Sequence, residues 1–277
     1  MSADLHCHTK MSDGASSIDE VVLLAKGRGL SAISVTDHDT FAGATRAKVF
    51  GERHGIEVIP GAEFSAIDNA RGRRAHILCY YCAHPDRLEK LCRQMGESRR
   101  RSSGIMVKKV LALYPIPLEM VIRRAQGSTN IFKAHIMHAL MDAGYADSVY
   151  GPLYQKLFSS KGGLCYCPVE YPDVHQVIRE IHEAGGLAVL AHPSEFKSMD
   201  LLQELAENGE LDGVEVWHPR NREEEIPVFQ EIAEKYHLVM TGGTDFHGMN
   251  TSNHLPIGSF TTPEDQLAEL KRRGAAG

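Results

Sequence analysis

The chain has 277 residues, enough for one barrel-sized domain of about 250 residues plus a modest insertion. With 43% apolar residues it can bury a core, while a net charge of −6 excludes the global basic footprint of a nucleic-acid binder, so any nucleotide contact must be local. The start, Met1-Ser2-Ala3-Asp4, carries no signal-peptide pattern, and no apolar run approaches the roughly 18 residues that span a bilayer. A cytoplasmic location is expected, with six reduced cysteines. The pairs Cys79/Cys82 and Cys165/Cys167 could bind structural zinc, but ordinary buried thiols are the favoured reading.

In chain order, residues 3–8 are predicted as a short strand. Ser17 and Glu20 have capping-box spacing and open a helix over 18–26, which stops at Gly27 and Gly29. Residues 32–36 are predicted as a buried strand, followed by a helix to about Arg53. Two more strands are predicted at 57–60 and 76–81. The rhythm then breaks. Residues 99–168 start basic (Arg99, Arg100, Arg101, Lys108, Lys109) and carry few strand signals, so they are expected to form an inserted, mostly α-helical subdomain covering the active site. Alternation resumes with helices at 174–183, 201–208 and 226–236, interleaved with strands at 187–191, 213–217 and 238–241. Seven strands, most followed by a helix, predict an α/β fold with a parallel sheet, formed by residues 1–98 and 169–277.

Polar residues collect at the strand ends: His6 and His8, Asp37 and His38, Glu63, His76, His192, Glu215, Asp245 and His247. In parallel α/β barrels the C-terminal end of the strands gathers catalytic groups. Residues two apart on a strand share a face, so His6 and His8 can chelate one ion while Cys7 faces away; Asp245 and His247 can do the same if extended. Imidazole mixed with carboxylate suits zinc, manganese or iron, not calcium. Several inward carboxylates without cations would be costly to bury. By contrast, His54, His84, His175, His182, His237 and His254 read as solvated loop or surface residues.

The runs Asp4-Leu5-His6-Cys7-His8-Thr9, Ser12-Asp13-Gly14 and Val35-Thr36-Asp37-His38-Asp39-Thr40 resemble the start of a polymerase-and-histidinol-phosphatase (PHP) domain. Pro60-Gly61-Ala62-Glu63, His76-Ile77-Leu78, Ala191-His192-Pro193, Gly213-Val214-Glu215 and Thr244-Asp245-Phe246-His247-Gly248 are similar to its later motifs. The resemblance implies a distorted seven-stranded (β/α)7 TIM-like barrel with two or three divalent transition-metal ions (Mn, Fe or Zn). By that resemblance His6, His8, Glu63 and Asp245 would hold the first ion. Glu63 would bridge to the second, with His76 and His192, and Asp13, His38 and His247 would hold the third. Asp37 and Glu215 fit the role of orienting imidazoles by hydrogen bonds.

The TDHDT run and the helical insertion are similar to the TrpH/YciV-like branch, which implies a phosphoesterase of nucleoside 3′,5′-bisphosphates or short 5′-phosphorylated RNA. Attack at phosphorus would come from a metal-bridging hydroxide, on ions held by those ligands. Where that branch commonly has Gly-Arg-Pro-His, this chain has Phe132-Lys133-Ala134-His135, which keeps a charge but loses the planar fork of arginine. Arg99 and Lys133 are the candidate phosphate contacts, and His218 and His135 the candidates for protonating the leaving group. The alternatives are a small-metabolite phosphatase, for example on histidinol phosphate, and a non-catalytic metal-binding module. No obligatory protein partner is inferred.

Overall fold

Seven strands pair in sequence order into a nearly closed barrel in the computed structural model, which describes residues 2–252 and 254–275. β1 (Ala3–Cys7) leads to α1 (Ile18–Gly27), β2 (Ala32–Val35), α2 (Ala44–His54) and β3 (Glu57–Asp68). α1 starts where the sequence indicates: Ser17 Oγ accepts the Glu20 N–H, and the Glu20 carboxylate accepts the Ser17 N–H at 2.6 Å. β1, β2 and β3 pair in parallel.

The all-parallel expectation fails at β4 (Arg73–Tyr80), which is antiparallel to both β3 and β5 (Leu187–Leu190). Only residues 69–72 join β3 to β4, and a parallel return needs a crossover of a dozen or more residues. The turn closes with Gly72 at φ +64°. β3 also continues eight residues past the predicted stop at Pro60: Pro60 pairs with Val35 of β2, its carbonyl accepts the Tyr81 N–H at 3.1 Å on the other side, and the strand then joins the hairpin with β4. The reversal decides the site. The start of β4 lies at the end of the barrel where the other strands finish, so His76 pairs with Ser65 beyond Glu63.

After β5 come α8 (Met199–Glu207), β6 (Gly213–Trp217), α9 (Ile226–Lys235), β7 (Val239–Gly242) and α10 (Glu264–Gly274), with β5, β6 and β7 parallel. β1 meets the chain beyond β7 through a parallel bridge between Cys7 and Phe246, with His8 N–H donating to Phe246 O at 2.8 Å. Gly243 permits this approach, since a Cβ there would stand 2.3 Å from His6 Cβ. Leu5, Ile59, Leu78, Tyr80, Val189 and Val239 fill the barrel, and Leu267 and Leu270 of α10 pack against them. A second layer lies between the strands and α7 (Val174–Glu183), α8 and α9, and includes Cys79.

Between β4 and α7 the chain forms α3 (Glu89–Leu113), α4 (Leu118–Arg124), α5 (Lys133–Asp142) and α6 (Pro152–Phe158). α3 runs without a break through Arg99. From Met106 onward these helices bury a cluster of their own, with Val110, Ile136, Leu140, Phe158 and Cys165 at its centre. No helix among the described residues is long and apolar enough to cross a membrane.

Candidate metal centre and substrate pocket

One carboxylate organises the polar end of the barrel. Glu63, on β3 and 1% exposed, lies within reach of five imidazoles. His76 Nδ1 stands 2.8 Å from it, His38 Nδ1 2.9 Å, His192 Nε2 3.0 Å, and His6 Nε2 and His8 Nε2 3.4 Å each. Asp245 Oδ1 is 3.2 Å from His8 Nε2 and 3.6 Å from His6 Nε2. Asp13 Oδ1 gathers His247 Nε2 at 3.3 Å and His38 Nε2 at 3.8 Å. His192 and Asp245 leave their strands in the left-handed region, at φ +28° and +51°. Non-glycine residues adopt that conformation at a cost, and here it aims both side chains at the barrel mouth.

These groups fit metal ions on the structure's own terms. His6 Nε2, His8 Nε2, His38 Nδ1, His192 Nδ1 and Asp13 Oδ1 are buried without a hydrogen-bond partner of good geometry among the described residues. Orphaned polar atoms in a core are expensive unless a further group satisfies them. The atoms cluster within 4.8 Å in overlapping sets: His8 with Asp13, His38 and His247; His6 with His8 and Asp245; His6 with Glu63 and His192; His38 with Glu63 and His76; and, behind them, His6 with Glu215 and His218. All nine residues singled out from the sequence are thus brought together.

The outer partners differ from one another. Glu215 Oε1 meets His6 Nδ1 at 2.9 Å, as an orienting carboxylate should. Asp37 makes no hydrogen bond or ion pair with an imidazole among the described residues. It accepts the Thr9 N–H at 2.8 Å and the Thr9 and Ser12 hydroxyls at 2.6 Å each, and reaches His8 only through Ser12. It therefore pins the loop leaving β1.

From this centre a cavity of about 420 Å³ extends between barrel and inserted helices, lined by His38 and His76 at one end and by Arg74, Lys133, Tyr154 and Tyr166 further out. The Lys133 ammonium lies 5.0 Å from the Tyr166 ring centre and 6.0 Å from that of Tyr154. Arg99 lines the cavity too, but Nε and Nη2 donate to Asp39 Oδ2 at 2.9 and 2.7 Å, and Nη2 donates to Ser65 Oγ. Arg74, stacked 4.9 Å over Phe196, escaped the sequence reading, although it lies two residues before His76 on the same face of β4.

Residues 4–186 match the PHP domain model. The chain belongs to the PHP domain family. A phosphoribosyl 1,2-cyclic phosphate 1,2-diphosphodiesterase of Eggerthella lenta is 39% identical over 250 residues, covering 90% of this chain and 95% of that protein. A 5′-3′ exoribonuclease of Escherichia coli is 31% identical over 88% of this chain and 84% of its own length. A solved structure from Bifidobacterium adolescentis, assigned as a metal-dependent phosphoesterase, superposes with a TM-score of 0.89 at 30% identity, covering 98% of this chain and 96% of that one. This PHP protein is an enzyme, a metal-dependent phosphoesterase of the TrpH/YciV-like branch.

Electrostatics of the PHP centre follow from its packing. Burial alone would push the His8 pKa down, but Asp245 and Glu63 override it and raise it to about 10. His6 is raised well above its ordinary value against burial by Glu215, Glu63 and Asp245, and His192 is raised by Glu195 and Glu63. Burial would raise Glu63, but His76, His38 and His6 hold it well below the usual carboxylate range. His76 goes the other way, lowered to about 4 by burial despite Glu63. Outside the cluster, burial and then Arg74 and Arg99 depress Lys133 to about 8.

Proposed function

We propose that this PHP protein hydrolyses a phosphate ester on a small ribose phosphate or nucleotide that carries a second phosphate. Two or three ions, manganese, iron or zinc, would be held as the family resemblance assigns them: by His6, His8, Glu63 and Asp245; by Glu63, His76 and His192; and by Asp13, His38 and His247. When bound, such ions supply positive charge against the phosphate and an activated water.

The carrying observation is the polarity of the cavity. One end has orphaned imidazole and carboxylate atoms suited to metal. The other has Lys133, for which no carboxylate partner occurs among the described residues. One phosphate sits at the metal end and the other at Lys133. Phosphoryl transfer depends chiefly on positioning and electrostatics, so this placement accounts for most of what the chain must do. The inserted helices bound the cavity opposite the metal end. A relative named for a cyclic phosphoribosyl substrate supports a compact, doubly phosphorylated ligand.

The test is a manganese-supplemented panel of a nucleoside 3′,5′-bisphosphate, a phosphorylated ribose cyclic phosphate, a short 5′-phosphorylated RNA, histidinol phosphate and a simple aryl phosphate. The small two-phosphate compounds should lead the simple ester by about 10- to 100-fold in kcat/KM, the value of one charge-assisted phosphate contact. A lead for histidinol phosphate or the aryl ester would overturn the two-phosphate assignment.

A further inference from the structure

His218 leaves β6 on the turn Trp217-His218-Pro219-Arg220 and is 1% exposed. Its Nδ1 accepts a hydrogen bond from the Arg220 backbone N–H at 3.1 Å. A ring nitrogen that accepts a hydrogen bond carries no proton, so the proton of this imidazole sits on Nε2. Protonating Nδ1 as well would set one N–H against another, so the turn itself holds the ring neutral.

Nε2 lies beside the metal centre, with the His192 ring 4.9 Å away between centroids, and has no hydrogen-bond partner among the described residues. The nearby carboxylate oxygens are Asp245 Oδ2 at 3.6 Å and Glu215 Oε2 at 3.9 Å, both outside hydrogen-bonding range. A buried N–H with no acceptor in range is satisfied only when an oxygen comes within reach. The ring cannot supply a lone pair to a metal through Nε2 while the proton occupies it. Nor can it serve as an ordinary acid, because a neutral imidazole that gives up Nε2–H becomes an imidazolate. The same argument covers His135, whose Nδ1 accepts the Phe132 N–H at 3.1 Å.

We propose that His218 is a neutral hydrogen-bond donor to an oxygen of the reacting phosphate, not a metal ligand and not the leaving-group acid. A donor fixed by its surroundings and aimed where negative charge grows is worth most in the transition state, so it acts on kcat more than on KM. The role rests on the metal-centred reading above, but the tautomer does not, and the two are tested separately.

The tautomer is read in the metal-free wild-type protein by two-bond ¹H–¹⁵N spectroscopy of labelled histidines, with the His218 signals identified by their loss in His218→Gln. The neutral Nε2–H form should persist from pH 6 to 8; an Nδ1–H or doubly protonated ring would overturn the proposal. His218→Ala should keep wild-type metal content and lose about 100- to 1000-fold in kcat with KM little changed. His218→Gln, which restores an N–H near the same point, should recover at least about tenfold of that loss. Loss of a metal ion from His218→Ala, or an undiminished kcat, would refute the role. A wild-type protein without metal would instead defeat the metal-centred reading and leave the tautomer result standing.

Discussion

His6 Nδ1 lies 2.9 Å from Glu215 Oε1, and the other oxygen of that carboxylate accepts the His192 backbone N–H at 3.0 Å. One side chain from β6 therefore sets the ring of His6 and the backbone of His192, two residues proposed to hold different ions. Removing such a partner weakens metal binding by about 10- to 100-fold. Glu215→Ala should show that loss in competition with a chelator while remaining folded. Unchanged affinity would show that Glu215 serves only packing.

Metal binding should release protons. The His6 and His192 pKa values are raised and that of His8 reaches about 10, so at pH 7 the metal-free site holds protons that an ion must displace. Affinity should therefore rise with pH from neutrality toward 10. Calorimetric titration of the metal-free protein in buffers of different ionisation enthalpy should give heats that differ by buffer. Equal heats would contradict the charge assignment.

Arg99 is expected to matter more for stability than for substrate. The side chains of Arg99 and Asp39 are 12% and 2% exposed, and Asp39 also accepts the Ser65 N–H at 2.8 Å. Arg99→Ala strands a buried carboxylate, a change that costs about 3 kcal/mol. Denaturant unfolding should show that loss. A stable variant with a sharply raised KM would instead restore Arg99 as a phosphate contact.

Lys133 gives the substrate preference a pH signature. Its folded pKa is depressed to about 8, so its charge is complete well below that value and disappears as pH rises through it. For a two-phosphate substrate, kcat/KM should fall above about pH 8 relative to a monophosphate ester, which never meets Lys133. Lys133→Arg keeps its charge at every accessible pH and should remove the difference. Parallel profiles for both substrates in the wild type would exclude the contact.

Much of the site was legible because it depends on spacing. His6 and His8 share a face by strand alternation, and strand-end carboxylates declare themselves by the cost of burying them. The reversal of β4 was not legible as such: Pro60-Gly61 reads as a stop, whereas β3 continues to Asp68 and turns back in four residues. Hence Arg74 went unnoticed beside His76. Arg99 read as a free cation because its partner Asp39 lies 60 positions away, and only the fold brings them together. The tautomers of His218 and His135 are set by backbone N–H groups and leave no mark on residue type. Nor do the left-handed conformations of His192 and Asp245.

The metal content of the purified protein tests the central claim most directly. Elemental analysis should find two or three transition-metal ions per chain. Chelation should abolish phosphate release and manganese should restore it, while His192→Ala should remain folded with less metal and no turnover. Hydrolysis by protein that contains no bound metal and is indifferent to chelator would contradict the account.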